Sequence, residues 1–177
     1  YNSAKVSTWS NFYTVNYNCN FLLGNLHRIE NVDPARLEFY CQQTYFLKAF
    51  LYFRIAQLWG DAPIISDFMA IEPKARRPVE EVLDEATTWA LKAFDLPVFE
   101  DLKNSSGGAL EHKQWASKGS AAALLAHIYA WRAAIEDKPE FWVEAEKYCT
   151  MIIDQEVGTY TLAPTPNGVC DTVLYRN

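Results

Sequence analysis

Apolar residues recur along most of the chain at the three- and four-residue spacing of helices that bury one face. This spacing predicts five helices, over about residues 9–29, 34–59, 79–94, 118–135 and 140–153. We interpret the first two as one hairpin and the last two as another, with the third helix between them. The predicted fold is all-α, an irregular set of tetratricopeptide-like helical hairpins with long loops.

The second predicted helix is apolar on nearly every side over residues 46–58. A helix with that pattern has to be covered by neighbours on several sides. Asp33 supplies an N-cap for this helix, and Gly60 followed by Pro63 ends it. We therefore expect residues 46–64 to form an interior rod closed by a sharp bend.

Several polar residues stand inside these apolar helices. Because a buried amide must find partners, Asn16 and Asn20 are predicted to bond to the backbone of a neighbouring helix or loop. Lys48 is predicted to pair with a carboxylate or with helix-end carbonyls. Asp61 is expected to cap a turn, and the acidic residues of 80–85 are expected to form a solvated face.

Composition narrows the class of protein. Of the 177 residues, 50% are hydrophobic and 21% are charged, which excludes wholesale disorder. The net charge is -6 and no dense basic cluster occurs, so the sequence argues against nucleic-acid binding. It has no apolar run of about 18 residues that would span a membrane. It starts at Tyr1 without an initiator Met and is expected to be a piece of a longer protein.

Four cysteines, Cys19, Cys41, Cys149 and Cys170, are too far apart for a C-x-x-C motif. The first three lie in apolar helical stretches and are predicted to be buried free thiols.

Templates for catalysis do not occur in the sequence. It contains no H-E-x-x-H, no G-x-S-x-G and no P-loop motif. His127 lies in an apolar helix and is predicted to be a core or interface residue. Glu111 and His112 are the pair on which an all-α enzyme, the third hypothesis, would depend. We predict no catalytic residue, no metal and no cofactor.

The aromatic share is high, at 15%, with 6 Trp, 10 Tyr and 10 Phe. Flat aromatic faces supply core area and also stacking platforms for sugars. Some of these residues fall on predicted core stripes: Phe46, Phe50, Phe53, Trp89 and Trp142. Others lie outside the helical stripes: Tyr1, Phe68, Trp115, Tyr160 and Tyr175.

Five motifs occur in order along nearly the whole chain. They are Tyr13-x-x-Asn16-x-x-Cys19-Asn20, then Phe46-Leu47-Lys48-Ala49-Phe50 with Trp59-Gly60-Asp61-Ala62-Pro63, then Arg77-Pro78-Val79, then Ala121-Ala122-Ala123-Leu124-Leu125, and finally Trp142-x-x-Ala145 with Tyr160-x-Leu162. In this order they resemble the SusD/RagB-like family. The chain departs from the family at Asn16, where Ile is preferred, and at Lys48, where Arg is preferred.

The resemblance implies a tetratricopeptide-like scaffold and a role in binding without catalysis. It implies a lipoprotein on the outer-membrane surface of Bacteroidetes-type bacteria, with its lipid anchor upstream of this chain. Its partners would be an oligosaccharide or other nutrient and a TonB-dependent transporter that receives the nutrient. We expect residues 1–177 to form a single helical domain within a longer protein.

Ligand residues in this family lie in variable loops, some of them just before the first helix. Tyr1 and Asn2 lie at that margin and are candidate ligand contacts, together with Trp115. A helical-repeat adaptor that binds a protein or peptide in a groove, without a small ligand, is the alternative function.

Overall fold

The computed structural model describes residues 8–70, 72–104, 106–110, 114–162 and 165. Within these ranges the secondary structure is helical and no strand is formed, which confirms the all-α prediction. The α-helices are α1 (Ser10–Gly24), α2 (Pro34–Trp59), α3 (Val79–Ala93), α4 (Lys118–Glu136) and α5 (Glu140–Ile153). Two 3-10 helices cover Leu26–Arg28 and Phe99–Asp101.

Local signals set the ends of α2 as predicted. Asp33 Oδ1 accepts a hydrogen bond from the Ala35 N–H at 3.2 Å and caps the first turn. Gly60 follows the last turn with φ +68°, and its N–H donates to the Ala56 carbonyl at 3.0 Å. A positive φ of this kind favours glycine, so the bend is encoded locally.

The predicted pairing of the fourth and fifth helices is confirmed, whereas the second helix packs mainly against the third rather than against the first. α3 packs along α2, α5 packs along α4, and α3 also joins α4, whereas α1 makes a smaller contact with α2. The buried face of α3 carries alanines at Ala86, Ala90 and Ala93, each with 0% exposure, which allow α2 to approach closely. The strongest pairs are therefore α2 with α3 and α4 with α5.

Two apolar clusters form the interior. The larger one joins α2, α3, α4 and α5 around Tyr52, Ile55, Leu83, Leu125 and Ile128. The smaller one lies under the first turns of α2 and brings together Ala93, Leu96, Ala116 and Ala121, with Phe39 packed against them. This smaller cluster supports the site described below.

One stripe of α2 is not covered. Leu47 and Phe50 are 49% and 48% exposed, and Leu58 on the same side is 42% exposed. The prediction of an interior rod is therefore wrong for this stripe, as is the prediction of a core position for Phe50. Apolar periodicity identified the covered sides of α2, but it does not show where a neighbour is lacking.

α5 is also less buried than its pattern predicts. Only Ala145 and Tyr148 are buried, whereas Trp142 is 53% exposed. Trp142 was predicted to be core, and that prediction is wrong because α4 covers a narrow strip of α5. Cys149 is exposed on the same helix, contrary to prediction, while Cys19 and Cys41 are buried free thiols as predicted.

None of the described helices combines the length and the apolar character needed to cross a membrane.

Candidate ligand-binding site

Three aromatic rings meet beside the first turns of α2. The Trp115 ring lies 5.5 Å from the Phe39 ring and 6.4 Å from the Tyr40 ring, measured between centroids. Phe39 packs on the smaller apolar cluster, while Tyr40 and Trp115 remain 37% and 39% exposed. The arrangement presents aromatic surface to solvent on a firm support.

Arg36 lies over two of these rings. Its guanidinium carbon is 5.2 Å from the Phe39 centroid and 4.9 Å from the Tyr40 centroid, in cation–π geometry. Its Nε donates to the Tyr40 hydroxyl at 3.2 Å, and its Nη1 donates to the Lys103 carbonyl at 3.1 Å. Arg36 therefore ties α2 to the loop that follows Phe99–Asp101.

Gln43 holds the backbone beside Trp115. Its Nε2 donates to the Ala116 carbonyl at 2.7 Å, and its Oε1 accepts from the Ala116 N–H at 3.0 Å. Both groups are buried, so leaving either unpaired would be costly. Sequence reasoning did not connect Gln43 with Trp115. A glutamine within an otherwise apolar stretch, three residues after Tyr40, was the available signal.

A cleft of about 490 Å³ opens next to the aromatic cluster. Its volume falls in the range of about 300–1,000 Å³ typical of small-ligand sites. The cleft lies between the start of α2 and the loop that follows α3, and its polar lining includes Asp33, Arg36, Asp101, Lys103 and Asn104.

The loop at the rim of this cleft is held by Asn104. The Asn104 Oδ1 accepts from the Ser106 N–H and from the Gly108 N–H, both at 2.9 Å. Gly107 has φ +82°, a conformation that favours glycine. Asn104 thus stabilises, through its side chain, the turn that leads to Gly108.

The other predicted ligand contacts, Tyr1 and Asn2, lie outside the described residues, as do Glu111 and His112 of the enzyme hypothesis. Trp115 is therefore the one predicted site residue that the structure places.

Phe68 and Tyr160, which lie outside the predicted helical stripes, make contacts within the protein. Phe68 packs edge-on against Phe21, with centroids 5.4 Å apart. The Tyr160 and Ser117 hydroxyls share a hydrogen bond of 3.0 Å.

The buried amides of α1 hold the connector after α2. Asn16 Nδ2 and Asn20 Nδ2 both donate to the Ile65 carbonyl at 2.8 Å, and the Tyr52 hydroxyl also bonds to Ile65. The prediction of backbone partners for both asparagines is confirmed. These hydrogen bonds hold α1 and α2 to the connector at Ile65.

Lys48 has partners other than those predicted. Its Nζ donates to Asn20 Oδ1 and lies 4.3 Å from the Trp89 ring centroid. Burial lowers the pKa of the Lys48 ammonium below its ordinary value, and the negative charge of Glu85 opposes that change. An amide oxygen and an aromatic face replace the expected carboxylate, because Asn20 of α1 and Trp89 of α3 both reach Lys48 on α2.

Acidic residues at the start of α3 are only partly a solvated face. Asp84 forms an ion pair of 2.6 Å with Arg132 of α4, which is 5% exposed and also pairs with Glu136 at 2.6 Å. Asp61 accepts from the Val79 N–H at 3.0 Å, so its predicted capping role is confirmed.

A second concavity lies between α4 and α5. It has a volume of about 470 Å³, and its lining is mostly apolar, with Trp142 and Ile152 on one side and His127 on the other. His127 is exposed here, so it is not a core residue, and its alternative role as an interface residue stays a prediction. Over the described ranges, no three His, Cys, Asp or Glu side chains are placed to hold a metal ion.

Paired helices packed into an all-α array over the described residues define a helical scaffold of the tetratricopeptide-like type. A family model described as starch-binding and associating with the outer membrane, the SusD-like family, matches residues 1–130. The chain belongs to the SusD-like family, as its motifs predicted.

Similar proteins support this assignment. A curated SusD-like protein of Formosa agariphila is 27% identical over 164 residues, covering 90% of this chain. A solved SusD superfamily structure from Bacteroides thetaiotaomicron is 28% identical with a TM-score of 0.71, over 89% of this chain. The surface glycan-binding protein A of Bacteroides uniformis has a TM-score of 0.76 over 93% of this chain at 18% identity, a likeness of fold alone.

The chain spans only part of these relatives. It covers 29% of the curated relative's length, and 36% and 34% of the two solved chains.

Proposed function

We propose that the chain is part of a glycan-binding protein on the outer-membrane surface, which captures oligosaccharide and delivers it to a TonB-dependent transporter. The family description supports starch-type ligands and outer-membrane association. The role is binding, with no catalytic step, and the lipid anchor would precede this chain.

The observation that carries this proposal is the partly exposed pair Trp115 and Tyr40, whose rings contact Phe39. Phe39 in turn lines a cleft that also carries acidic and basic side chains. Indole and phenol faces stack on the C–H surface of a pyranose ring, as they do on other flat apolar ligand faces. The Arg36 and Lys103 side chains donate to sugar hydroxyls, and the Asn104 side chain lies at the same rim. Tyr1 and Asn2 are proposed as additional contacts.

The experiment is isothermal titration calorimetry with neutral oligosaccharides on the 177-residue chain and its Trp115→Ala variant. Losing an aromatic platform should weaken binding at least about tenfold, if a sugar face stacks on one ring about as strongly as a nucleic-acid base does, at about 1–3 kcal/mol. Trp131→Ala is the matched control, because Trp131 is also 39% exposed but lies on α4. Equal binding by all three proteins would contradict the site.

Delivery to a transporter is tested on the full-length protein. It should co-purify with a TonB-dependent transporter when the two are expressed together in a Bacteroidetes host. Surface proteolysis of intact cells should degrade it, as expected for outward exposure. Recovery of the protein in the outer-membrane fraction without any transporter complex would support the proposed location and contradict delivery to a transporter.

The α4–α5 concavity favours a second candidate function, a peptide-binding adaptor. Its apolar lining and half-exposed Trp142 suit an apolar side chain of a partner helix. Absence of oligosaccharide binding, with peptide binding that Trp142→Ala removes, would favour this alternative.

A further inference from the structure

One face of the α4–α5 pair is apolar and open to solvent. It contains the concavity of about 470 Å³ between the two helices, called the α4–α5 groove below. Residues that line it recur at spacings of three and four, so that each set lies along one face of its helix. They include Ala123, Ala126 and Ala130 on α4, and Trp142, Ala145 and Cys149 on α5.

The α4–α5 groove has a floor of small residues and a large apolar rim. Ala126 and Ala145 are 8% and 6% exposed, whereas Trp142 is 53% exposed. Beyond it, at the end of α5, Ile153 is 77% exposed. An open apolar surface of this kind on a folded protein marks a place where another part of a protein packs.

The alanines of the groove match those of a helix contact already formed in this fold. The face of α3 that packs on α2 carries Ala86, Ala90 and Ala93, each with 0% exposure. Small residues at this spacing let two helix axes approach to about 8–10 Å. The α4–α5 groove is therefore built to receive a helix.

Backbone chemistry also favours a helix over an extended segment. Few side chains that line the groove are polar, and His127 and Glu146 are among them. An extended segment would bring backbone N–H and C=O groups into an apolar setting without partners. A helix pairs these groups within itself and presents only side chains.

The outer face of α4 and α5 does not resemble the end of a helical array. The terminal pair of such an array carries a polar outer face, because nothing packs on it. Here that face is apolar. The chain also covers only 29% of the curated relative's length and 36% of the solved Bacteroides thetaiotaomicron chain, so proteins of this family carry further polypeptide that can supply a helix.

We infer that a helix from the part of the full-length protein outside residues 1–177 packs lengthwise in the α4–α5 groove. Its apolar face lies on the alanines and against Trp142. The groove is then an internal contact of the full-length protein and is closed to a separate peptide. This inference goes beyond the proposed function, and its test needs no glycan.

Cys149 is a native probe of the groove, because its side chain is exposed on the surface described. In the purified full-length protein, N-ethylmaleimide should modify Cys149 at least about tenfold more slowly than a cysteine on the open side of α5, since a covered thiol reacts only after local opening. Mass spectrometry of the peptide that contains residue 149 gives the rate separately from other cysteines.

The matched control is Thr150→Cys in a Cys149→Ser background. Thr150 is the next residue of α5, is also exposed, and lines a different concavity. Both positions share any fraying of the helix, so a difference in rate reports the cover over one face. Equal rates at the two positions, whether fast or slow, would overturn the inference.

Cross-linking identifies the occupant. A maleimide that carries benzophenone, attached at Cys149 during brief unfolding and irradiated after refolding, should form a bond within the same molecule to a peptide from outside residues 1–177. Bonds to a second molecule, together with protection of Cys149 that disappears on dilution, would assign the groove to a second copy and overturn the inference. Bonds confined to residues 1–177 would overturn it as well.

A substitution tests the contact without labelling. Trp142→Glu should lower the thermal midpoint of the full-length protein by at least about 2 °C more than Val143→Glu, because it places a carboxylate under the packed helix. Val143 is 64% exposed on the same helix and lines the other concavity. Equal shifts in the two variants would contradict the packed helix.

Discussion

Two places on α2 combine a cation with aromatic rings, and they differ in exposure. Near the middle of the helix, Lys48 lies over Trp89 with 1% of its surface exposed. At the first turns, Arg36 lies over Tyr40 beside Trp115, whose exposed fraction is 39%. The first arrangement fastens α1, α2 and α3 to one another, and the second leaves ring surface open. Exposure rather than residue type separates a structural contact from a candidate ligand site.

The largest loss of stability is expected when the amide that pairs with Lys48 is removed. Asn20→Leu should lower the free energy of unfolding by about 2–4 kcal/mol, because it leaves a buried ammonium without its acceptor and the Ile65 carbonyl with one donor fewer. Asn25→Leu is the matched control at the exposed end of α1 and should cost less than about 1 kcal/mol. Urea unfolding of both variants measures the difference.

Gln43 lies on α2 between the buried Lys48 and the exposed ring cluster at Arg36, and it holds the backbone of Ala116 next to Trp115. Gln43→Ala should lower the free energy of unfolding by about 1–3 kcal/mol, since the Ala116 N–H and carbonyl lose their partner in a buried setting. It should also weaken glycan binding, because Trp115 is then less firmly placed. Gln57→Ala, which removes only an exposed bond to Arg54, should change neither quantity. Normal glycan affinity in Gln43→Ala would show that Trp115 is positioned by other contacts.

Burial of Lys48 should also make the free energy of unfolding depend on pH. Because burial lowers the folded-state pKa of Lys48 below 10.5, the unfolded chain binds more protons between the two pKa values. The cost of burying the charge is present in full below the folded pKa and disappears as pH rises towards 10.5. The stability of the wild type should therefore rise relative to Lys48→Met across this window.

Denaturant unfolding of both proteins at several pH values gives this difference. Burial raises the pKa of Tyr13 to about 12 and also raises that of Tyr52, but both proteins share these tyrosines, so their effect cancels. If the difference in unfolding free energy between the wild type and Lys48→Met stays constant with pH, burial of the Lys48 charge does not lower stability.

The smallest effect on stability is expected at Arg36, in the first turns of α2. Arg36→Gln should change the free energy of unfolding by less than about 1 kcal/mol, because its bonds and cation–π contacts are exposed to solvent. Thermal unfolding monitored by circular dichroism tests this. A loss comparable to that of Asn20→Leu would mean that the two cation sites serve the same structural purpose.

Part of the candidate site could be predicted from the sequence, and part could not. Trp115 was identified because it falls outside the helical stripes. Its neighbours Phe39 and Tyr40 lie on a helix, where periodicity gives no reason to separate them from core aromatics. The clamp between Gln43 and Ala116 joins residues 73 positions apart, a distance at which no local pattern indicates a partner.

The sequence by itself determined the five helices and both ends of α2, since apolar spacing, the Asp33 cap and the Gly60 bend act over a few residues. It did not determine the end of α1, which stops at Gly24 rather than near residue 29. It also determined that Asn16 and Asn20 need buried partners. Only the tertiary structure decided that the Ile65 carbonyl is their shared acceptor, that Lys48 meets Asn20 and Trp89, and that one stripe of α2 remains open. Those outcomes depend on which helix faces pack together, and that is set by the summed packing of distant segments rather than by any one of them.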